Sequence, residues 1–291
     1  MGGGVPLSLV RCIRGGKKIE YKFYFTTTPI CDVKCETQIQ FRRENFMSNE
    51  YLPKVAMTIH AHPDDQEFSI GGTIAKWAKA GCEVICVVIT SGDSGSNDPS
   101  KGAEYKPVLA ELREKEQLTA NEVLGVKETV FMRKPDGELE PTIELRKEIT
   151  RLIRKYKPDV VLAGNPEAWF YGNEYLNHAD HRAAARAACE AVFPSAGSRL
   201  IFADLLAKGY EPHEVKRLYI HGTDKPDTWV DITETIDIKV RALQQHASQV
   251  PVDEVEKWMK DWAKEDAKDK EFEYAESYRV MIFKKEEEHE K

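Results

Sequence analysis

A doubly wound α/β fold of Rossmann-like type, its mostly parallel sheet covered by helices on both faces, is what this 291-residue sequence predicts. Three observations lead there. Short runs of Val, Ile and Leu recur without apolar–polar alternation, as expected of strands buried on both sides. Amphipathic segments of helical period separate these runs. Glycine or proline then closes several of the helical segments.

In chain order, VAMTIH (55–60) reads as a buried strand. GGTIAKWAKAG (71–81) has helical spacing at Ile74, Trp77 and Ala78 and stops at Gly81. EVICVVIT (83–90) is a second strand, and 106–125 a long amphipathic helix with Pro107 at its start and Gly125 at its end. ETVFM (128–132), a helix over 142–158 and the strand DVVLAG (159–164) follow. An aromatic loop containing Trp169, Phe170 and Tyr171 then precedes a helix over 178–193. Strands are expected at 215–222 and 276–284, with a helix over 234–249 between them. The highly charged stretch from 253 ends in KKEEEHEK, read as a solvated, frayed end.

Residues 1–46 differ from the rest, with eight Lys/Arg against four Asp/Glu and no sustained period. They read as a disordered arm or a mis-called extension upstream of a start at Met47, leaving 47–291 as a single domain. A hydrophobic content of 41% with 31% charged residues describes a soluble globular protein, and the net charge of −7 argues against a nucleic-acid partner held by bulk electrostatics. No apolar run approaches the roughly 20 residues of a membrane span, and no secretory signal is evident. The expectation is a cytoplasmic protein whose six cysteines are reduced and mostly structural.

Two clusters carry chemistry. HPDD (62–65) stands at the end of the first strand, where open parallel sheets bind ligands. His62 and Asp65, three apart, can converge on one point while Asp64 aims elsewhere. In HADH (178–181), two histidines three apart share one helical face behind the DVVLAG strand. A lone His, a lone HxxH or a DD pair is ordinarily structural, but their coincidence at two strand ends of one sheet is not. Together they offer a His, Asp and His set with a spare acid and a spare histidine, the inventory of a catalytic zinc site that keeps one position open for water. Histidines 60, 213, 221, 246 and 289 are read as structural, His246 with least support.

HPDDQEFSIGGTIAKWAKAG, followed by TSGDSGS, LREKE, PDGEL and HADHRAA, resembles the LmbE/PIG-L family of zinc-dependent de-N-acetylases from about Lys54 to Gln249. The resemblance implies removal of an acetyl group from an N-acetylglucosaminyl substrate. It implies His62, Asp65 and His181 as zinc ligands, Asp64 as general base, and His178 as the residue that steadies the tetrahedral intermediate. Asp180 becomes a partner that orients a histidine, and Arg113 and Asp136 become sugar contacts. Gln66 replaces the glutamate of the commoner HPDDE, a difference that bears on substrate subtype. Relatives often form trimers or hexamers, which implies a homo-oligomer whose partner is a small N-acetylated sugar. Two alternatives use the same residues: a non-haem Fe(II) oxygenase built on two His and one carboxylate, and a sugar-binding module without catalysis. The aromatic loop either stacks on a sugar ring or packs itself down.

Overall fold

The computed structural model describes residues 9–14, 17–22 and 51–284, and the chain divides into units at Glu50 and Tyr51. In the first unit, Leu9–Arg14 (β1) and Lys17–Lys22 (β2) pair antiparallel. The expected boundary at Met47, the side chains of Cys12, Cys31 and Cys35, and the 285–291 tail lie outside the described residues.

The second unit begins with Val55–His60 (β3), Asp65–Lys79 (α1), Glu83–Thr90 (β4), Lys106–Leu124 (α2) and Glu128–Lys134 (β5). Ile143–Tyr156 (α3), Val160–Gly164 (β6), a small hairpin of Phe170–Tyr171 (β7) and Tyr175–Leu176 (β8), and Ala179–Glu190 (α4) follow. Ala203–Ala207 (α5), Arg217–His221 (β9), Thr228–Asp231 (β10), Ile236–Leu243 (α6), Val252–Asp266 (α7) and Ala275–Ile282 (β11) complete it.

The seven-stranded sheet runs β10-β11-β9-β6-β3-β4-β5. Five strands from β9 to β5 are parallel, and β11 runs antiparallel to both β9 and β10. From β3 the chain builds outward to β4 and β5, then returns to place β6 on the other flank of β3. The C-terminal ends of β3 and β6 therefore form the switch point where such sheets open a crevice.

Strand periodicity sends side chains into two cores. In β6, Val160 and Leu162 join one core and Val161 and Ala163 the other. Helices α1, α2, α6 and α7 cover the first core with Ile74, Trp77, Leu124, Leu243 and Met259. Helices α3 and α4 cover the second with Ile149, Ile153, Ala184 and Ala188. Each large side chain so buried contributes about 1.5–3 kcal/mol. Among the described residues no helix is long and apolar enough to cross a membrane.

The structure corrects several expectations. α1 starts at Asp65, six residues before the expected Gly71, because Asp64 takes a left-handed conformation (φ 92°) that turns the chain straight into the helix. Half of HPDD is therefore helix N-terminus, with Asp65 and Glu67 in the first turn where the dipole favours acids. The charged stretch from 253 conceals α7, whose buried face is Val255, Met259 and Ala263 at four-residue spacing. β10 and the β7–β8 hairpin, each four residues or fewer in a strand, are too short to carry a periodic signal.

Gly72 lets α1 approach its neighbours: a Cβ there would lie 2.7 Å from Ile232 Cδ1 and 2.8 Å from its Cβ. Glu276 on β11 accepts from Gly72 N (2.9 Å) and Thr73 N (2.8 Å) and fixes this close contact. For Gly72→Ala, the propensity gain of about 1 kcal/mol opposes an overpacking cost of roughly 1–3 kcal/mol. The net expectation is a lower melting temperature, by about 2–4 °C per kcal/mol lost. Gly71→Ala, whose nearest neighbour is the Lys239 Cγ at 3.1 Å, should lose less. A Gly72→Ala protein that melts at or above wild type would refute the close-packing account.

Candidate metal centre and active-site groove

The turn from β3 into α1 is held by Asp65, whose Oδ2 accepts the backbone N–H groups of Ala61 (3.1 Å) and His62 (2.9 Å). Its other oxygen, Oδ1, is left facing His181 Nε2 at 3.1 Å. His62 Nδ1 lies 3.1 Å from the same His181 nitrogen and 3.7 Å from Asp65 Oδ2. Two donors on one tetrahedral zinc, each about 2.0–2.2 Å from the ion, stand roughly 3.3 Å apart. The nitrogen and carboxylate donors suit a divalent cation, and the two distances to His181 Nε2 match that spacing.

The opposite nitrogens of both rings are engaged. His62 Nε2 lies 2.9 Å from Asp136 Oδ1 and 3.4 Å from Asp180 Oδ2. His181 Nδ1 lies 3.2 Å from Asn177 Oδ1. Acceptors in these places hold a proton on those far nitrogens, so each ring, once neutral, would present a lone pair at His62 Nδ1 and His181 Nε2. Asp136 and Asp180 are in turn fixed by backbone: Ser94 N donates to Asp136, and Gly137 N and Leu139 N to Asp180.

Among the described residues, two groupings bring their donor atoms within 4.8 Å of one another: His62 with His178 and His181, and His62 with Asp136 and Asp180. The acids of the second grouping already serve backbone N–H groups and the His62 ring. In the first, His178 Nδ1 accepts the Asp180 N–H at 3.2 Å, which places its own proton on Nε2 as a hydrogen-bond donor.

Asp64, although adjacent to Asp65, lives in different surroundings. Its N–H donates to Gln117 Oε1 (2.9 Å), and its Oδ2 pairs with Arg113 Nη2 (3.0 Å). Arg113 also donates to Pro63 O and Gly92 O. The loop can lie this close only through glycine, since a Cβ on Gly92 would be 2.3 Å from Arg113 Nη1. The family resemblance implies Arg113 and Asp136 as sugar contacts; both line the groove, but they are 4% and 5% exposed, and their side chains pair with Asp64 and His62.

The charges follow from these contacts. Burial alone favours the neutral His62 ring, but the bonds to Asp136, Asp180 and Asp65 outweigh it and hold the imidazolium up to about 12. Burial raises Asp64, Arg113 partly offsets this and Asp65 adds to it, leaving its carboxyl at about 6. Asp65 is held well below the usual range: burial opposes this, and His181 and His62 overcome it.

Residues the motifs did not reveal complete the site. Asn177, next to HADH, orients His181. Gln117 lies one helical turn after Arg113, so an i, i+4 reading of α2 from Arg113 finds it. His246, fully buried, sits with Nε2 3.4 Å from Glu67 Oε2. His60 and His221 stack at 5.2 Å, and burial pushes His60 down to about 4 and His221 well below its ordinary value, so both rings are neutral.

Nitrogen and carboxylate donors converging beside a carboxylate that stands apart from them are characteristic of hydrolases that act through a divalent metal. The family model described as PIG-L, GlcNAc-PI de-N-acetylase, matches residues 57–192. A diacetylchitobiose deacetylase of Thermococcus kodakarensis is 37% identical over 205 residues, covering 70% of this chain and 73% of that one. A 1D-myo-inositol 2-acetamido-2-deoxy-alpha-D-glucopyranoside deacetylase of Kineococcus radiotolerans is 28% identical over 263 residues, covering 69% and 70%. The solved N,N'-diacetylchitobiose deacetylase of Pyrococcus horikoshii superposes with a TM-score of 0.73 at 30% identity, over 88% of this chain and 95% of that one. This chain belongs to the PIG-L family of de-N-acetylases.

A proton on His62 Nδ1 and a metal there exclude one another, so metal binding must displace it. Without metal, the raised His62 pKa stabilises the fold fully below about pH 6.5, and this contribution is lost as pH rises towards about 12. Titrating zinc into metal-free protein at pH 7 should therefore release at least about one proton. Calorimetry in buffers of different ionisation enthalpy reads this directly; a heat independent of buffer would contradict the charge state.

Proposed function

We propose that this protein hydrolyses the acetamide of an N-acetylglucosamine-type sugar conjugate, yielding acetate and the free amine. One observation carries the reading: His62, Asp65 and His181 converge as a donor set while the neighbouring carboxylate, Asp64, is turned away to Arg113. Relatives named for deacetylating diacetylchitobiose and an inositol-linked acetamido sugar support the substrate class. An iron oxygenase would leave Asp64 without a task, and family membership disfavours it.

In this reading His62 Nδ1, Asp65 Oδ1 and His181 Nε2 would hold the ion, most simply zinc. When bound, the ion supplies a water of lowered pKa and polarises the amide carbonyl. Asp64 takes a proton from the water as its oxygen adds to the carbonyl carbon. It returns that proton to the sugar nitrogen as the C–N bond breaks. His178, with its proton on Nε2, donates to the carbonyl oxygen as that oxygen gains charge. Arg113 holds Asp64 in position, and Asp136 and Asp180 hold His62. The burial of Arg113 and Asp136 supports positioning as their first task.

His62→Ala, Asp65→Ala and His181→Ala should each lose bound metal, and full occupancy in all three by elemental analysis would refute this ligand set. Asp64→Asn should keep its metal while kcat falls by roughly 10²–10⁴. Asp65→Asn should lower occupancy and recover part of its activity in excess zinc. A reversal of these two outcomes would overturn the division of labour within HPDD. Asp136→Asn should weaken metal affinity by about 10–100-fold; a rise in KM alone would return Asp136 to the sugar.

A further inference from the structure

We infer that the β7–β8 hairpin is a platform for a second ring of the substrate, with Trp169, Tyr171 and Tyr175 stacking on the C–H face of a pyranose or cyclitol joined to the acetamido sugar. The inference rests on the deacetylase reading and adds where the uncleaved part of the substrate goes.

The hairpin presents aromatic surface where folding alone does not require it. Trp169, Tyr171 and Tyr175 are 53%, 43% and 52% exposed. Register pairs Tyr171 with Tyr175 and Phe170 with Leu176, so the two tyrosines share one side of the ribbon. Their rings stand 6.1 Å apart, tilted by 37°. Strands of two residues do not hold themselves together in water, so the surface must be fixed from outside.

It is fixed to the reacting centre. Asn177 N donates to Trp169 O (2.8 Å), and Asn177 Nδ2 to Ala168 O (2.8 Å). The same side chain, through Oδ1, orients His181. Arg182 donates to Asn177 O and lays its guanidinium 3.9 Å from the Trp169 ring centre. That covers one face of the indole; with the residue 53% exposed, its other face is open. Tyr171 rests against Gly222, where a Cβ would be 2.7 Å from its hydroxyl. The indole and Tyr171 are thus tied to the segment that orients His181, and Tyr175 pairs with Tyr171 beside them.

The groove that these rings share with His62, Asp64, His178 and His181 measures about 1750 Å³. Small-molecule pockets usually take about 300–1,000 Å³, so the groove has room beyond one acetamido sugar. A sugar or cyclitol ring offers apolar, slightly positive C–H faces and hydroxyl edges. Aromatic faces carry the opposite charge and attract such hydrogens. The tyrosine hydroxyls give the same platform a polar rim for the ring's edges.

The test compares kcat/KM for N,N'-diacetylchitobiose and for an inositol-linked acetamido sugar with that for free N-acetylglucosamine. Wild type should favour at least one two-ring substrate by roughly 10-fold or more, and the better one identifies the ring. Trp169→Ala should bring that ratio close to one, while Trp169→Phe keeps most of it. Tyr175→Ala, at the exposed far strand, should lower the ratio as well and serves if Trp169→Ala does not fold. Calorimetry of the metal-loaded protein with the glucosamine disaccharide against glucosamine reads the same preference without turnover. A flat wild-type ratio, or one unchanged by both alanine variants, overturns the platform and leaves the deacetylase reading standing. Trp169-dependent preference in binding with no acetate released from any substrate sinks the deacetylase reading and leaves the platform.

Discussion

One carboxylate oxygen organises the site. Asp65 Oδ2 takes up the N–H groups of Ala61 and His62 as the chain leaves β3, so the turn is closed by the residue whose other oxygen faces His181. Closing it forces Asp64 into the left-handed region, a conformation that Asp tolerates better than most residues. Two adjacent and chemically identical side chains thereby meet opposite surroundings, one between imidazoles and the other against a guanidinium. The separation of the proposed ligand from the proposed base is thus a consequence of backbone geometry.

The turn holds because its neighbours are rigid. Arg113 gathers Gly92, Pro63 and Asp64 around one guanidinium. Beyond α1, Glu276 accepts from Gly72, Thr73, Lys239 Nζ and the Tyr278 hydroxyl. A carboxylate 2% exposed would be costly without such partners. With them it ties α1, α6 and β11 together, so the antiparallel edge of the sheet supports the helix whose first turn carries Asp65. Precise donor placement depends on supporting contacts of this kind.

Much of this was legible from residues. Unalternating strands such as EVICVVIT imply a doubly covered sheet, and HPDD and HADH fall at its switch point as the topology demands. The start of α1 was hidden because Asp64, in its left-handed conformation at that turn, is also held by Gln117 and Arg113, 53 and 49 residues away from it. The partners of Arg113 and Asp136 were hidden for the same reason: a motif tells which residues meet a site, and only packing tells which atoms they meet. α7 was masked by its own charge, since three buried residues among many exposed acids and lysines leave a weak stripe.

Gln66 shows how a departure from a motif acquires a physical meaning. It is 1% exposed, does not line the groove, and accepts from Thr58 Oγ1 at 2.9 Å. Its amide nitrogen donates to Glu67 Oε1 and Asn121 Oδ1, both acceptors. A carboxylate in its place would offer no hydrogens to either and would set a second charge against buried Glu67. The amide therefore suits its neighbours: Gln117 donates to the same Glu67 oxygen and accepts the Asp64 N–H. The fifth position of HPDDQ thus speaks to the polar layer beneath the turn, which reaches the chemistry only by holding Asp64 where the turn puts it.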